Sequence, residues 1–497
     1  MRSLSPRSSN LPKKEGFPLK LKRMILALAL MAALLLSCGA TAFADPSAFS
    51  LALLIGEKTV TVRAMLNEYP GNYYISLTDL SAGLDGTRCA FRFEYQNTPA
   101  DGEFFTVNTR QSSGAWSGAG NATENPWISS FVPFRNRIFV DGPEHRYYTY
   151  REGRDLYMSL TDIQLMLDIT AEFTEEGIRL FPDRPFRADL EELDRQGYFD
   201  AFSAVLVADA DTGDILFSRN AGDPVPIASI SKLMTYLLLA EGIQRGEISS
   251  YDSVGVSEKA AALSRGVDAM VTLYTDQRYP YQDMLGAMLL ASSNECALAL
   301  AEHLCGSEEA FVERMNKRAE ELGLETAHFY NPNGLPVYLQ QALSTKVQNC
   351  MSAEDLFSLC SLLIHEHPEL LNITRERYGS MPSLKYVTAN SNALVFNLPG
   401  CNGLKTGSTN KAGSCLAASL PVTAGGETHT AVAIVLGSET AYGRNQAAEI
   451  LLRAARDTWQ EQGSFAPAKP EPSPSASPAP TGTPAPSASP APTGKAG

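Results

Sequence analysis

A run of apolar residues at 233–240, Leu-Met-Thr-Tyr-Leu-Leu-Leu-Ala, is hydrophobic on nearly every side of a helix. This pattern predicts a helix that is buried all round and not an amphipathic surface helix. Pro224 and Pro226 precede the run, so the helix can begin here but cannot extend far back along the chain. Ser229 and Lys232 lie three positions apart at its start, so they share one face and their side chains can meet.

Other periodic segments predict the elements of a folded domain over residues 200–460. Strands at 204–208 and 214–218 are joined by the turn signal Asp-Thr-Gly at 211–213. The pattern predicts helices at 260–263, 283–290, 295–304, 311–322, 353–365 and 445–460, and strands at 404–406, 413–419 and 429–436. A charged, helical connection at 187–198 leads into this domain.

Residues 50–185 contain an internal repeat. The heptapeptide Tyr-Ile-Ser-Leu-Thr-Asp-Leu at 74–80 recurs as Tyr-Met-Ser-Leu-Thr-Asp-Ile at 157–163. Each copy predicts a short strand, a helix capped by the Thr and Asp, and a second strand. The pattern resembles the duplicated strand–helix modules of copper amine oxidase N-terminal-like domains, without copper because no histidine cluster is present. A wall- or partner-binding role and a spacer role both remain open.

The two ends of the chain have distinctive compositions. A basic segment at 1–23, an apolar run at 24–36 and Ala-Phe-Ala at 42–44 predict a secretory signal peptide over residues 1–44. The expected location is extracytoplasmic, in association with the cell wall or the membrane. Retention in the membrane by an uncleaved N-terminus, or lipoprotein processing at Cys38, stays open. Residues 464–497 are rich in Pro, Ser and Ala and predict a disordered tail.

Charge and cysteine content exclude several classes of protein. The net charge of −14 and the absence of a basic stripe argue against a nucleic-acid partner. The eight cysteines form neither a Cys-x-x-Cys pair nor a zinc spacing, so we predict no metal site and no cofactor. Cys401 and Cys415 flank a predicted hairpin, and a disulfide between them stays open in an exported protein.

Ser229 and Lys232 form a candidate nucleophile and base. A serine hydroxyl attacks a carbonyl when a base takes its proton, and a buried lysine kept neutral can be that base. The free N–H groups at the start of a helix can also stabilise an oxyanion. On these residues alone, capping of the helix is the favoured role for Ser229. Ser-x-x-Lys also occurs at Ser408–Lys411, in a stretch that predicts a turn.

Two further short motifs follow in order. Ser-Ser-Asn at 292–294 lies at the junction of two predicted helices, and Lys-Thr-Gly at 405–407 begins a predicted hairpin. Taken singly, Ser292 and Asn294 are typical helix caps, and Lys405 is typical of a solvated strand. The ordered set of three motifs is far more specific than any one of them.

With these motifs, residues 202–455 resemble the serine penicillin-binding proteins, most closely the low-molecular-mass D-alanyl-D-alanine carboxypeptidases of peptidase family S11. Further matching stretches are His-Phe-Tyr-Asn-Pro-Asn-Gly-Leu at 328–335 and Gly-Leu-Lys-Thr-Gly-Ser-Thr at 403–409. The resemblance implies an α+β penicillin-binding-protein/β-lactamase-like transpeptidase fold, an antiparallel sheet flanked by helices. Ser231 and Ser293 replace the commoner Thr and Gly, and the usual C-terminal β domain is absent.

The resemblance also implies a role for each residue. Ser229 would be acylated by the D-Ala–D-Ala carbonyl, Lys232 would take its proton, and Ser292 would relay a proton to the departing D-alanine. The N–H groups of Ser229 and Ser408 resemble an oxyanion hole. Substrate contacts are implied at Asn294, Lys405, Thr406, Gly407, Ser408, Thr409 and Arg444. For Arg444 a surface salt bridge remains the alternative.

The predicted function is therefore a serine-type D-Ala-D-Ala carboxypeptidase that trims peptidoglycan stem peptides and is acylated by β-lactams. A β-lactamase of the same fold is an alternative, although no Glu-x-x-Leu-Asn motif follows Ser292. A non-catalytic wall-binding protein is a second alternative. A Ser/His/Asp hydrolase is disfavoured because no Gly-x-Ser-x-Gly occurs. Carboxypeptidase or endopeptidase preference, a role in growth or sporulation, and oligomeric state remain open.

Overall fold

The computed structural model describes residues 49–66, 73–100, 102–109, 134–174, 177–339 and 342–465. The predicted signal peptide and nearly all of the predicted tail lie outside these residues. Among the described helices, none is both long enough and apolar enough to cross a bilayer. All seven cysteines in the described residues carry free thiols, so Cys401 and Cys415 form no disulfide here.

The strands of the first half of the chain are β1 (Phe49–Ile55), β2 (Lys58–Leu66), β3 (Tyr73–Ser76), β4 (Arg92–Thr98), β5 (Gly102–Asn108), β6 (Phe134–Val140), β7 (Glu144–Glu152), β8 (Asp155–Ser159), β9 (Thr170–Thr174), β10 (Gly177–Phe181), β11 (Ala204–Asp209) and β12 (Ile215–Arg219). Those that follow are β13 (Val225–Pro226), β14 (Ser253–Gly255), β15 (Arg278–Pro280), β16 (Val337–Leu339), β17 (Ala342–Val347), β18 (Cys350–Met351), β19 (Tyr378–Met381), β20 (Tyr386–Ala389), β21 (Gly403–Thr409), β22 (Gly413–Ala424) and β23 (Glu427–Ser438).

The helices are α1 (Leu77–Gly83), α2 (Leu160–Leu167), α3 (Leu190–Arg195), α4 (Lys232–Gln244), α5 (Glu258–Leu263), α6 (Tyr281–Gly286), α7 (Asn294–Cys305), α8 (Glu308–Glu321), α9 (Ala353–Glu366), α10 (Glu369–Thr374), α11 (Leu394–Asn397) and α12 (Ala441–Gln462). Short 3₁₀ turns occur at Tyr198–Ala201, Ala228–Ser231 and Pro382–Leu384, and a π turn at Ala287–Ala291.

The second half of the chain is built on a five-stranded antiparallel sheet of order β12-β11-β23-β22-β21. Residues alternate between its two faces, as the period of a strand requires. Leu206 and Ala208 face a core that contains the buried helix α4, whereas Val205 and Val207 face a second core. Helix α12 packs in that second core. The sheet is therefore covered by helices on both faces, and this confirms the predicted α+β class.

The first part of the chain forms a separate ten-stranded sheet of order β4-β5-β6-β7-β8-β3-β2-β1-β10-β9. The two copies of the repeat meet at its centre, where β3 pairs antiparallel with β8 and Ile75 lies opposite Met158. One face of the sheet carries the aliphatic core with α1 and α2. The other face presents Tyr74, Tyr150 and Tyr157, which pack with Tyr442 of α12.

Each repeat begins its helix with a serine cap, which corrects the sequence prediction that Thr and Asp are the caps. Ser76 Oγ accepts a hydrogen bond from the Asp79 N–H at 3.1 Å, and Ser159 Oγ accepts one from the Asp162 N–H at 3.0 Å. A serine at the N-cap satisfies one of the free N–H groups of the first turn. The Asp side chains lie inside that turn and are available for other partners.

Candidate active site

Ser229 lies in a strained turn that begins α4. The 3₁₀ turn Ala228–Ser231 leads directly into the helix, and Ala228 has a φ of +48°, an unusual value for a residue with a Cβ. Ser231 Oγ donates to the Ala228 carbonyl at 2.6 Å and holds the turn closed. Ser229 is half-buried, whereas α4 is buried from Lys232 to Gly242. The fold thus exposes one hydroxyl at the end of a buried helix.

Lys232 is completely buried and makes three contacts through one atom. Its Nζ lies 2.8 Å from Ser229 Oγ, 2.8 Å from Asn294 Oδ1 and 2.7 Å from the Asn333 carbonyl. A neutral amine has two N–H donors and one lone pair. The two carbonyl oxygens accept the donors, which leaves the lone pair for the Ser229 hydroxyl. This geometry is that of a general base in contact with its nucleophile.

The surroundings of Lys232 favour the neutral amine. Burial lowers its pKa well below the ordinary 10.5, and the positive charge of Lys405 lowers it further. Glu295 opposes this effect. Burial is the larger of the two effects, in agreement with the interpretation of Lys232 as a buried lysine kept neutral.

Residues 292–294 connect the π turn to α7 and form a second side of the site. Asn294 is buried, and its Nδ2 donates to the Asp268 carbonyl at 3.2 Å, so its Oδ1 faces Lys232. Ser292 lies at a left-handed position with a φ of +65°. In the described part of the chain no hydrogen bond joins the Ser292 hydroxyl to Ser229 or Lys232. The structure therefore brings Asn294 into direct contact with Lys232, and Ser292 lies two residues before Asn294 in the chain.

Strand β21 forms the third side and passes very close to the nucleophile. A Cβ on Gly407 would lie 2.9 Å from both the Ser229 nitrogen and the Ile227 carbonyl oxygen, so only glycine allows this approach. Lys405 is buried on the same strand, and its Nζ donates to the Thr406 carbonyl at 3.0 Å. Burial and the charge of Arg444 lower the Lys405 pKa to about 7.

The hydroxyls of β21 have different environments. Thr406 Oγ1 lies 2.7 Å from Ser391 Oγ, and Thr409 Oγ1 donates to Gln348 Oε1 at 2.8 Å. Ser408 is exposed at the end of the strand, and its hydroxyl donates to the Gly407 carbonyl at 2.7 Å. The prediction that Ser408 lies in a turn is wrong, because it pairs with Ser414 across the sheet.

Arg444 is buried in the first turn of α12, which is incompatible with the surface alternative. Its Nε donates to Asn445 Oδ1 at 3.0 Å, and its Nη1 lies 3.5 Å from the Cys415 carbonyl, opposite Gly407 in the sheet. Among the described residues no carboxylate pairs with Arg444. An unpaired guanidinium is costly to bury, so this end of the site favours an anionic ligand.

Several neighbours of the site lacked a clear signal in the sequence. The Asn333 carbonyl contacts Lys232 from a loop in which Asn331 Oδ1 accepts the N–H of Gly334 at 2.6 Å. The turn-rich Asn-Pro-Asn-Gly at 331–334 was the available signal for this loop. Nothing in the sequence pointed to Ser391 or Gln348, since isolated polar residues between predicted elements have many ordinary roles.

Residues 192–440 match the family model described as D-alanyl-D-alanine carboxypeptidase, peptidase family S11. This span is half of the chain and contains the three motifs that surround Lys232, but it ends just before Arg444. The ten-stranded sheet lies outside the match. The family assignment therefore covers Ser229, Lys232 and β21.

The chain is 36% identical over 248 residues to the D-alanyl-D-alanine carboxypeptidase DacF of Bacillus subtilis (strain 168). The aligned residues are 50% of this chain and 59% of the relative. It is 31% identical over 252 residues to DacD of Escherichia coli (strain K12), with coverages of 50% and 61%. The chain thus spans about three fifths of the length of these curated relatives. It is also similar to the crystal structure of the peptidoglycan synthesis regulatory factor PBP3 from Streptococcus pneumoniae, with a TM-score of 0.47 and 29% identity over 51% of this chain and 70% of that one.

Replacing Gly334 by alanine should destabilise the protein strongly. Gly334 has a φ of +87°, and a Cβ there would lie 2.0 Å from the Ala228 carbonyl oxygen, in the turn that holds Ser229. Backbone strain and the collision together should lower the free energy of unfolding by about 3–5 kcal/mol, measured by urea unfolding. Gly323→Ala is the matched control, with a φ of +70° and nothing within 4 Å, and should lose about 1–2 kcal/mol. Equal losses in the two variants would contradict the close packing.

Burial of Lys405 should make stability depend on pH between about 7 and 10.5. In this window the unfolded chain keeps a proton on the lysine that the folded chain has released, so the folded state gains stability as pH rises, by up to about 1.4 kcal/mol per pH unit. Lys405→Met removes this dependence. The variant should therefore be more stable than wild type at pH 6, and the difference should shrink toward pH 10.

The measurement is the free energy of urea unfolding of both proteins at a series of pH values. Lys385→Met, at an exposed lysine, controls for the loss of a lysine charge. A difference between wild type and Lys405→Met that stays constant across the whole range would show that the Lys405 pKa is not depressed.

Proposed function

Because the chain belongs to the D-alanyl-D-alanine carboxypeptidase family, peptidase family S11, we propose that it is a serine-type D-Ala-D-Ala carboxypeptidase acting on peptidoglycan stem peptides. The observation that carries this proposal is the contact between the Ser229 hydroxyl and a fully buried Lys232, at 2.8 Å. A lysine with a depressed pKa is a competent base at neutral pH. Acyl transfer through Ser229 and Lys232 needs neither a metal nor a cofactor.

In the acylation step Ser229 Oγ attacks the carbonyl carbon of the penultimate D-alanine, and its proton passes to Lys232. The new Oγ–C bond forms a tetrahedral oxyanion, which the N–H groups of Ser229 and Ser408 stabilise. The C–N bond then breaks, and the departing amine of D-alanine takes a proton delivered through Ser292. A water molecule hydrolyses the acyl-enzyme, with Lys232 again acting as the base.

Substrate recognition depends on fixed positive charge at one end of the site. Lys405 and Arg444 are both buried, and within the described residues neither pairs with a carboxylate. A free C-terminal carboxylate supplies the missing negative charge. The Thr406 hydroxyl is a further donor, and the Thr409 hydroxyl becomes one when it turns away from Gln348 Oε1. Asn294 orients the peptide while it contacts Lys232. A substrate carboxylate also stabilises the charged form of Lys405, whose pKa in the free protein is about 7.

The proposal extends to location and inhibitors. A peptidoglycan substrate lies outside the cytoplasm, in agreement with the predicted signal peptide at 1–44. Residues 200–460 form the peptidase domain, and residues 50–185 form an additional module. β-Lactams have a reactive amide beside a carboxylate, so they acylate Ser229 in the same orientation as the terminal dipeptide.

The test is the release of D-alanine from a peptide ending in D-Ala–D-Ala. Wild-type protein should release D-alanine, benzylpenicillin should block the release, and Ser229→Ala should lower the rate by at least 10³-fold because the nucleophile is lost. Ser358→Ala is the control for loss of a serine hydroxyl: Ser358 is exposed on α9 and its hydroxyl donates to the Glu354 carbonyl, so this variant should retain the chemistry. Free D-alanine is measured by a coupled oxidase assay.

The lifetime of the penicilloyl adduct separates the alternatives. A carboxypeptidase should hold benzylpenicillin on Ser229 for minutes or longer, and mass spectrometry of the intact protein measures the adduct. An adduct that turns over within seconds, without D-alanine release, would instead indicate a β-lactamase. A folded protein that neither releases D-alanine nor becomes acylated would indicate a non-catalytic wall-binding protein.

A further inference from the structure

The ten-stranded sheet packs against the first turns of α12, the helix that carries Arg444. Tyr442 lies two positions before Arg444 and Gln446 two positions after it. Both are buried, and both contact residues of the N-terminal sheet. The helix turn that carries Arg444 therefore contacts the N-terminal sheet both before and after Arg444. This sheet lies outside the family match.

Gln446 provides a polar attachment to the second copy of the repeat. Its Nε2 lies 2.9 Å from Ser159 Oγ and 2.9 Å from Asp162 Oδ1, and 2.5 Å from the Tyr442 hydroxyl. Burial raises the pKa of Asp162 to about 7, against the hydrogen bonds from Gln446 and Ser159. A carboxyl group is rarely buried without such partners. Loss of the hydrogen bond from Gln446 would leave the buried Asp162 with fewer partners, so this contact stabilises the association of the module with this turn of α12.

The first copy of the repeat uses the equivalent aspartate within the module itself. Asp79, the counterpart of Asp162, is bound within the module by Arg63, whose Nε donates to Asp79 Oδ2 at 2.9 Å and whose Nη2 donates to Oδ1 at 3.0 Å. Within the described ranges no arginine pairs with Asp162, which contacts Gln446 instead. The two copies therefore use the same aspartate for different purposes, one internal and one toward the peptidase domain.

Aromatic side chains provide the apolar part of the contact. The Tyr442 ring packs edge-on against Tyr148 of β7, with ring centroids 6.1 Å apart. It also packs at a tilt against Tyr74 of β3, with centroids 6.2 Å apart. Tyr148 also lies close enough to Arg444 for an electrostatic interaction, and its ring contact with Tyr442 supports the same turn of α12. A side chain of the N-terminal module thus reaches the neighbourhood of the proposed carboxylate-binding residue.

Arg444 depends on its backbone for position because its side chain is weakly held. Its guanidinium makes one hydrogen bond of ordinary length, to the adjacent Asn445, and one long contact of 3.5 Å with the Cys415 carbonyl. No carboxylate among the described residues fixes it. A small shift of the helix turn would therefore move the guanidinium relative to Lys405 and to a bound carboxylate.

We propose that the N-terminal module is a positioning element of the active site, which holds Arg444 in place through Tyr148 and through the contact of Ser159 and Asp162 with Gln446. The inference rests on the proposed function, because it assigns the module to recognition of the substrate's C-terminal carboxylate. The module is then neither a spacer nor a separate binding domain. Tyr148 and Gln446 act through Arg444 and do not take part in the chemistry.

The test uses the full chain and the variants Tyr148→Ala and Gln446→Ala. Each should raise KM for a peptide ending in D-Ala–D-Ala by roughly ten-fold, the loss expected when one charge-assisted hydrogen bond is misplaced, with kcat within about two-fold. For the same peptide ending in D-Ala–D-alaninamide, which lacks the carboxylate, kcat/KM should be nearly unchanged. Tyr148→Phe keeps the ring and should behave as wild type.

Asp79→Ala is the matched control, since it removes the equivalent aspartate of the first repeat and its contacts with Arg63. It should lower the melting temperature of the protein without changing KM. Unchanged KM in both Tyr148→Ala and Gln446→Ala would overturn the inference. An equal loss on the carboxylate and amide peptides would also overturn it, because a purely structural role does not distinguish the two substrates.

Hydrogen exchange gives a second measurement that needs no substrate. In Tyr148→Ala and Gln446→Ala the amides of residues 441–449 should exchange at least ten-fold faster than in wild type, and in Asp79→Ala they should not. If wild-type protein releases no D-alanine, the proposed function has failed, and unchanged exchange over 441–449 would then refute the inference separately.

Discussion

The structure depends most on the burial of a lysine amine against a serine hydroxyl. A charged ammonium in this position would lose its hydration without gaining a carboxylate, a loss of several kcal/mol. The neutral form avoids that loss and uses its two donors on the carbonyl oxygens of Asn294 and Asn333. The remaining lone pair faces Ser229. The same burial that lowers the pKa therefore also aligns the base with the nucleophile, and helix α4 provides it by being apolar on every side.

The segments around Lys232 contain buried positively charged side chains and strained backbone positions. Burial and the charge of Arg444 make it harder for Lys405 to carry a charge, and the Lys405 pKa falls to about 7. The left-handed Ala228 and the glycines at 334 and 407 let three backbone segments meet at Ser229. Such features reduce stability in the free protein and are typical of functional sites. A ligand with a carboxylate relieves the electrostatic part of this cost.

Much of the fold and of the site followed from local patterns. The buried helix after Ser229, the strands β11 and β21–β23, and the internal repeat all had clear periodic signals, and three short motifs placed the residues around Lys232. Long-range contacts had no such signal. The attachment of Asp162 to Gln446 joins residues far apart in sequence, and nothing in the repeat distinguishes Asp162 from Asp79. The caps at Ser76 and Ser159 were missed because several adjacent residues could serve as caps.

The protonation state of Lys232 tests the central claim most directly. Lysine labelled with ¹³C at the ε position reports its charge by NMR, and the Lys232 signal is assigned by its absence from Lys232→Met. The account predicts a titration midpoint well below the ordinary lysine value of 10.5 in the free protein. A midpoint at or above 10.5 would mean that Lys232 is charged when the substrate arrives, and it would contradict the role of Lys232 as the base.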